Sequence, residues 1–208
     1  MPAMQSSLFD SDTAPSLSRL GDGLTRTKLD RRSWVDHQLG WVAGSDALFD
    51  EVAQSVPWRA ERRQMYDRVV DVPRLVGWYD ARAQLPHPVL ADARFGLSAH
   101  YGEVLPEGFA TAGMCLYRDG RDSVAWHGDT IGRGRTEDTL VAIVSLGAPR
   151  ALLLRPRNGG ASVRFMLGHG DLLVMGGACQ REWEHAVPKT TKPNGPRISI
   201  QFRPPGVR

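Results

Sequence analysis

Two histidines and one aspartate have the spacing of a metal site. His127 and Asp129 lie two residues apart, so at the end of a β-strand both side chains would point to one face. His185 lies far enough downstream to arrive on a different strand of the same sheet. Two imidazoles and one carboxylate leave the opposite side of a metal open, which suits Fe(II) with a co-substrate and O₂. The alternative for His185 is a packed core histidine.

A second His-x-Asp pattern, His169-Gly170-Asp171, competes with the first. It directly precedes the apolar run from Leu172 to Met175. A polar, glycine-containing segment in that position is typical of a turn that opens a strand. We therefore expect His169 to be structural and not to bind the metal.

The C-terminal segment 197–203, RISIQFR, alternates polar and apolar residues with a period of two. Its polar positions predict a strand with one face that lines something polar: Arg197, Ser199, Gln201 and Arg203. Two inward-facing guanidinium groups are costly to bury unless anions pair with them, and a dicarboxylate supplies two. The alternative is a half-exposed edge strand with both arginines in water.

These residues need a sheet to bring them together. Beyond Gly113 the chain consists of short apolar runs separated by Gly, Pro and Asn, which predicts an antiparallel sandwich or barrel. We predict an α+β fold with a double-stranded β-helix (jelly-roll) core over residues 113–204 and N-terminal helices packed outside it.

Two helices are predicted ahead of the sheet. Ser45 is a candidate N-cap for a helix that Pro57 stops, and residues 86–101 hold the second. Residues 1–30 are rich in Ser, Asp, Thr and Gly without sustained periodicity, which predicts a flexible tail. The folded domain is then expected over residues 31–208.

Composition excludes several classes of protein. Apolar residues are 41% and charged residues 24% of the 208 residues, as in a soluble globular chain. No apolar run approaches the ~18 residues of a membrane span. Two isolated cysteines favour a reducing, cytoplasmic location. Residues 150–208 carry ten Lys and Arg against three Asp and Glu, so they form either a surface for a polyanion or a solvated face.

In order and spacing, these residues resemble the AlkB family of 2-oxoglutarate- and Fe(II)-dependent demethylases of alkylated nucleic acids. The resemblance covers residues 55–204. Its segments are Pro73-Arg74-Leu75 with Trp78-Tyr79, Leu116-Tyr117-Arg118, Asp122-Ser123-Val124 with Trp126-His127, Ser145-Leu146-Gly147, His169 to Leu173, and Trp183 to Lys189.

The resemblance implies that His127, Asp129 and His185 bind Fe(II), which 2-oxoglutarate chelates through its keto oxygen and C1 carboxylate. Such enzymes convert 2-oxoglutarate and O₂ to succinate and CO₂. They oxidise a methyl group on a base nitrogen, which leaves as formaldehyde. The implied function is repair of N-alkylated bases in DNA, with RNA as an alternative substrate.

The resemblance also implies how 2-oxoglutarate is held. Arg197 with Tyr117 would bind its C5 carboxylate, and Arg203 would lie near its C1 end. Family members commonly carry Asn at the positions of Cys115 and Ser199. Ser199 stays a predicted co-substrate residue, but both departures remove hydrogen bonds to 2-oxoglutarate.

Residues 58–68, WRAERRQMYDR, match the nucleotide-facing lid of the family. Arginines would hold phosphates and aromatic residues would stack a base, which makes Trp58, Arg62, Arg63 and Tyr66 candidate contacts. The alternative is a solvated hairpin face.

A methylated base inside a duplex must be flipped out to reach the metal. Trp78 or Tyr79 would stack against it, with core packing as the alternative for both. Thr130 stands where the family often carries an acidic residue near the target base, so base preference does not transfer.

Two rival functions remain open. One is a 2-oxoglutarate oxygenase acting on a substrate other than nucleic acid, and the other is a jelly-roll binding module without catalysis. We expect a monomer with no membrane contact. Gln5, Leu8 and Phe9 also resemble the Gln-x-x-Leu-Phe peptide that docks bacterial repair proteins on the sliding clamp, with a chance pattern as the alternative.

Overall fold

The computed structural model describes residues 13–65, 68–192 and 194–207, without the side chains of residues 62–65 and 68–71. Its helices are α1 (Ser45–Ser55), α2 (Pro88–His100) and α3 (Cys179–Glu182), with a short 3₁₀ turn at Arg133–Arg135. The strands are β1 (Ser16–Leu17), β2 (Thr25–Lys28), β3 (Ser33–Gln38), β4 (Val42–Ala43), β5 (Arg59–Met65), β6 (Arg68–Tyr79), β7 (Thr111–Tyr117), β8 (Val124–His127), β9 (Val141–Gly147), β10 (Arg150–Pro156), β11 (Val163–Leu167), β12 (Asp171–Gly177), β13 (Trp183–Val187) and β14 (Arg197–Arg203). No helix in this part of the chain has the length and apolar character needed to cross a bilayer.

Strands β7 to β14 form two antiparallel sheets. The larger sheet contains β12, β9, β14 and β7 side by side, and the smaller contains β11, β10, β13 and β8. The chain passes back and forth between the two sheets, which confirms the double-stranded β-helix predicted for residues 113–204. The larger sheet grows to eight strands because β3 and β2 add beyond β12, and β6 and β5 add beyond β7.

Strand β14 lies in the middle of the larger sheet, between β7 and β9. Its apolar residues Ile198, Ile200 and Phe202 are fully buried, in the core that the outer face of this sheet shares with α1 and α2. Because side chains alternate along a strand, the polar residues of β14 point between the two sheets. The edge-strand alternative is therefore wrong, and the helices do pack outside the β-helix.

Helix α1 begins at the predicted place but with another cap. Its N-cap is Gly44, in the left-handed region at φ 63°, and no side chain caps the helix. A Cβ at Gly44 would lie 2.4 Å from the Thr13 carbonyl oxygen, so only glycine fits there. The predicted cap, Ser45, instead donates its hydroxyl to the Val42 carbonyl at 2.6 Å.

The predicted flexible tail over residues 1–30 is too long. Strand β1 pairs with β4, and β2 pairs with β3 at the edge of the larger sheet. Arg26 makes two 2.7 Å hydrogen bonds to the carboxylate of buried Asp36, which also accepts the Tyr101 hydroxyl at 2.8 Å. The polar composition of residues 1–30 led to the prediction of a flexible tail, so these strand pairings were not predicted. The rest of that predicted tail, residues 1–12, lies outside the described residues.

Candidate active site

The structure brings His127, Asp129 and His185 together between the sheets. His127 ends β8 and is the direct antiparallel partner of His185 on β13, so both imidazoles share one face. The ring centroids are 4.2 Å apart, and His127 Nε2 lies 4.0 Å from Asp129 Oδ1. One ligand atom from each residue falls within 4.8 Å of the others. This is the two-histidine, one-carboxylate arrangement that leaves one side of a metal open.

Neighbouring groups fix the orientation of two of these ligands. The His127 Nδ1 lies 2.8 Å from the Ala125 carbonyl oxygen, to which its N–H donates, so Nε2 keeps the lone pair for a metal. Asp129 Oδ2 accepts from Arg203 Nε at 2.8 Å, and its backbone N–H donates to Gln180 Oε1 at 2.9 Å. One carboxylate oxygen therefore remains for the metal.

Burial keeps the histidines neutral. Desolvation lowers the pKa of His185 to about 3, with repulsion between two protonated imidazoles acting in the same direction, and desolvation also lowers the pKa of His127. Burial alone would raise the pKa of Asp129, but the charge and hydrogen bond of the Arg203 guanidinium outweigh it and lower that pKa to about 2. At neutral pH the site therefore offers two lone pairs and one negative charge, which is the protonation state that a divalent metal requires.

Gly128 is required between the two ligands that flank it. A Cβ there would lie 2.5 Å from both Arg157 Nη2 and the Gln180 carbonyl oxygen. The backbone approach at Gly128 sets the turn from His127 to Asp129. Sequence reasoning missed Gly128 and Gln180, because a close backbone contact and a bond to a ligand's backbone leave no spacing pattern.

Arg197 is buried with an unbalanced charge. It is 1% exposed, its Nε donates to Ser145 Oγ at 2.9 Å, and its Nη1 has no hydrogen-bond partner among the described residues. No carboxylate in the described part of the chain pairs with it, and its guanidinium lies 5.3 Å from the Tyr117 ring. A buried unpaired guanidinium is costly, so this position fits the carboxylate of a bound anion.

Arg203 lies at the opposite end of the same polar face and, through its bond to Asp129, beside the metal ligands. An anion with two carboxylates could therefore reach Arg197 with one end and the metal with the other. Gly113 makes room for Arg203, because a Cβ there would lie 2.7 Å from its Nη1. The residues present thus fit 2-oxoglutarate at the predicted positions, and part of the basic excess of residues 150–208 lies inside the barrel.

His169 is structural, as predicted. Its Nδ1 accepts from the Gly147 N–H at 2.6 Å, and its Nε2 lies 3.1 Å from Asp46 Oδ1. Both contacts fasten the turn before β12 to neighbouring elements. Gly170 in this turn has φ 80°, which glycine adopts without strain.

The candidate substrate residues divide into three groups. Trp78 is 40% exposed and lies beside Gly113 at the mouth of the site, whereas Tyr79 and Trp58 pack against the helix-facing core. Core packing is thus the better interpretation of these two. Thr130 follows Asp129 and donates its N–H to the Gly128 carbonyl at 2.8 Å. The remaining candidates, Tyr66 and the side chains of Arg62 and Arg63, lie outside the described residues.

Replacing His185 by Ala is expected to abolish tight Fe(II) or Mn(II) binding, since two ligands cannot hold the metal in the open arrangement. His169→Ala is the matched control and should bind metal normally. Anaerobic titration calorimetry with Mn(II) measures both. Equal loss of metal affinity in the two variants would contradict the assignment of the ligands.

Comparison with known proteins agrees with this geometry. Residues 37–203 match the family model of the 2OG-Fe(II) oxygenase superfamily. The chain is 31% identical over 188 residues to alpha-ketoglutarate-dependent dioxygenase alkB homolog 3 of Homo sapiens. This match covers 78% of this chain and 62% of that protein. It is 35% identical over 231 residues to DNA oxidative demethylase ALKBH2 of Arabidopsis thaliana, covering 93% of this chain and 71% of that protein.

The fold agrees with a solved structure as well. The structure of OsALKBH1 superposes with a TM-score of 0.59 at 14% identity, over 85% of this chain and 100% of that chain. The chain spans about three fifths of the length of the alkB homolog 3 proteins that it matches. With the family model, the 35% identity and the ligand set in agreement, the chain belongs to the 2OG-Fe(II) oxygenase superfamily and, within it, to the AlkB family.

Proposed function

We propose that this protein is an oxidative demethylase of N-alkylated bases in nucleic acid, with DNA as the principal substrate. The observation that carries the proposal is the open metal triad at one end of a polar face whose other end holds the buried Arg197, which has no carboxylate partner among the described residues. The first takes Fe(II) and the second takes one carboxylate of 2-oxoglutarate. The names of the relatives, a dioxygenase and a DNA oxidative demethylase, support the nucleic acid substrate.

When bound, iron and 2-oxoglutarate together activate O₂ for oxidation of a C–H bond. The protein's own residues supply the geometry. His127, Asp129 and His185 would hold the metal, and Arg203 fixes the Asp129 carboxylate through a 2.8 Å hydrogen bond to Oδ2. Arg197 orients the distant end of the co-substrate. Asp129, His185 and Arg197 are buried, and burial strengthens the electrostatic interactions of each.

The substrate reaches this site beside Trp78. A half-open depression of about 230 Å³ lies there, lined by Trp78, Thr111, Ile131, Gly132, Gly206 and Val207. Its lining is mainly apolar, and an indole at the rim suits stacking of a flat base. We assign Trp78, and not Tyr79, as the stacking residue for a flipped base, with Thr130 near its edge.

The two rival functions differ from this proposal in observable ways. A binding module does not require open coordination positions on a metal, and it consumes no 2-oxoglutarate. An oxygenase with another substrate would consume 2-oxoglutarate but leave methylated bases unchanged. The hairpin β5–β6, with the arginines of residues 58–68, favours a polyanionic substrate.

Incubation with Fe(II), 2-oxoglutarate, O₂ and a methylated oligonucleotide should yield succinate and a product lighter by one CH₂ group. The measurement is mass spectrometry of single- and double-stranded DNA and of RNA. Asp129→Ala, which loses one metal ligand, should give neither product. Succinate without demethylation of any oligonucleotide would support the oxygenase with another substrate, and no succinate from the native chain would support the binding module.

Arg62 and Arg63 are proposed to bind phosphates from the hairpin β5–β6. Reversing both charges, Arg62→Glu with Arg63→Glu, should weaken binding of an oligonucleotide and flatten its salt dependence by about one unit of slope per lost contact. The control is Arg31→Glu with Arg164→Glu, two exposed arginines elsewhere on the surface. Identical slopes for both double variants would return the hairpin to a solvated face.

The segment Gln5 to Phe9 is proposed to dock on a bacterial-type sliding clamp, through Leu8 and Phe9 as apolar anchors and Gln5 as a hydrogen-bonding residue. This segment lies outside the described residues, and the proposal rests on sequence alone. Such a tether would raise the local concentration of the enzyme at replication forks. A labelled peptide of residues 1–14 should bind the clamp saturably, and the peptide with Leu8→Ala and Phe9→Ala should not. Equal binding by both peptides would end the proposal.

A further inference from the structure

Four side chains on β6, β7 and β14 form a continuous hydrogen-bonded chain: Arg74, Cys115, Gln201 and Ser199. Ser199 and Gln201 lie on the polar face of β14, between Arg197 and Arg203. Cys115 on β7 is the direct cross-strand partner of Ser199, and Arg74 on β6 lies next to it. Ser199 and Gln201 are both buried. This set includes the two positions, 115 and 199, at which the chain departs from the asparagines common in the family.

The bonds of this chain have one possible direction. Arg74 anchors it by donating Nη1 to the Ser123 carbonyl at 3.2 Å and Nε to Cys115 Sγ at 3.4 Å. Because a guanidinium can only donate, the sulfur accepts from Arg74. The Gln201 NH₂ group faces Ser199, because the Ser199 carbonyl 2.9 Å from Nε2 can only accept. The Gln201 Oε1 therefore faces Cys115, whose thiol donates to it at 3.8 Å.

The Gln201 NH₂ group then fixes the Ser199 hydroxyl. Its Nε2 donates to Ser199 Oγ at 2.6 Å and to the Ser199 carbonyl at 2.9 Å, which occupies both of its hydrogens. The Ser199 oxygen is therefore an acceptor toward Gln201, and the hydroxyl hydrogen must point elsewhere. Among the described residues, no acceptor takes it.

We propose that Gln201 is a positioning residue that orients the Ser199 hydroxyl to donate a hydrogen bond to a carboxylate of 2-oxoglutarate. Arg74 and Cys115 hold the Gln201 amide in the orientation that this requires. An asparagine at position 199 would donate from its own amide and need no such support. In this chain a shorter residue makes the donation, and Gln201 supplies the orientation that a freely rotating hydroxyl lacks.

The test is anaerobic calorimetry of 2-oxoglutarate binding to the Mn(II)-loaded protein, so it needs no nucleic acid substrate and is independent of the proposed function. Gln201→Met preserves length but removes the amide, and it should raise the 2-oxoglutarate Kd about threefold to tenfold, because the Ser199 hydroxyl remains but is no longer held in the donating orientation. Mn(II) affinity and melting temperature without 2-oxoglutarate should stay unchanged. Adding Ser199→Asn should recover most of the affinity, because the asparagine donates without help.

A second pair of variants tests the same inference if Gln201→Met perturbs the metal site. Cys115→Ala removes the donor to Gln201 Oε1, which helps to hold the amide in place, and should also raise the Kd, whereas Cys115→Ser keeps a donor and an acceptor and should not. In turnover the Cys115→Ala effect should appear in KM for 2-oxoglutarate and not in kcat. An unchanged Kd in both Gln201→Met and Cys115→Ala, or no recovery on adding Ser199→Asn, would overturn the proposal.

Discussion

A positive charge buried without a counterion among the described residues is the constraint on which this structure depends. Arg197 lies between the two sheets of the barrel, and the protein offers its guanidinium a serine hydroxyl and the tyrosine at position 117 but no carboxylate among the described residues. Such a group lowers stability unless an anion joins it. In the free protein, burial of the Arg197 charge therefore lowers the free energy of unfolding. Binding of the co-substrate removes this loss, so the stability of the barrel depends on whether the site is occupied.

The position of β14 explains how the fold bears this charge. One face of the strand contributes Ile198, Ile200 and Phe202 to the core beneath the helices, and the other face carries the polar residues of the pocket. Arg203, at the far end, is balanced by Asp129, which is also a proposed metal ligand. The proposed co-substrate residues, the arginine that binds Asp129 and part of the sheet core are thus built on a single central strand with strict alternation. A one-residue shift in its register would place both arginines in the apolar core.

Much of the fold and the site could be predicted from the sequence because they depend on the alternation of polar and apolar residues and on the spacing of the candidate ligands. The alternation of residues 197–203 identified the pocket strand, and the order of His127, Asp129 and His185 identified the ligands. The pairing of β2 with β3 could not be predicted, because its residues are polar and its stability comes from the distant contact between Arg26 and Asp36. Gly128 and Gly113 were missed for another reason: their role is the space that they leave, which only the packed structure shows.

The central claim is that the Arg197 charge is balanced by 2-oxoglutarate and not by a carboxylate of the described part of the chain. The direct measurement is the melting temperature of the Mn(II)-loaded native protein and of Arg197→Met, each with and without saturating 2-oxoglutarate. Arg150→Met is the control, since Arg150 is also buried but its guanidinium donates to the carbonyls of Asp119, Asp122 and Pro188. We predict that Arg197→Met melts no lower than the native protein without 2-oxoglutarate and loses the rise that the co-substrate produces, whereas Arg150→Met melts lower and keeps it. A lower melting temperature of free Arg197→Met, with the 2-oxoglutarate-dependent rise intact, would contradict the account.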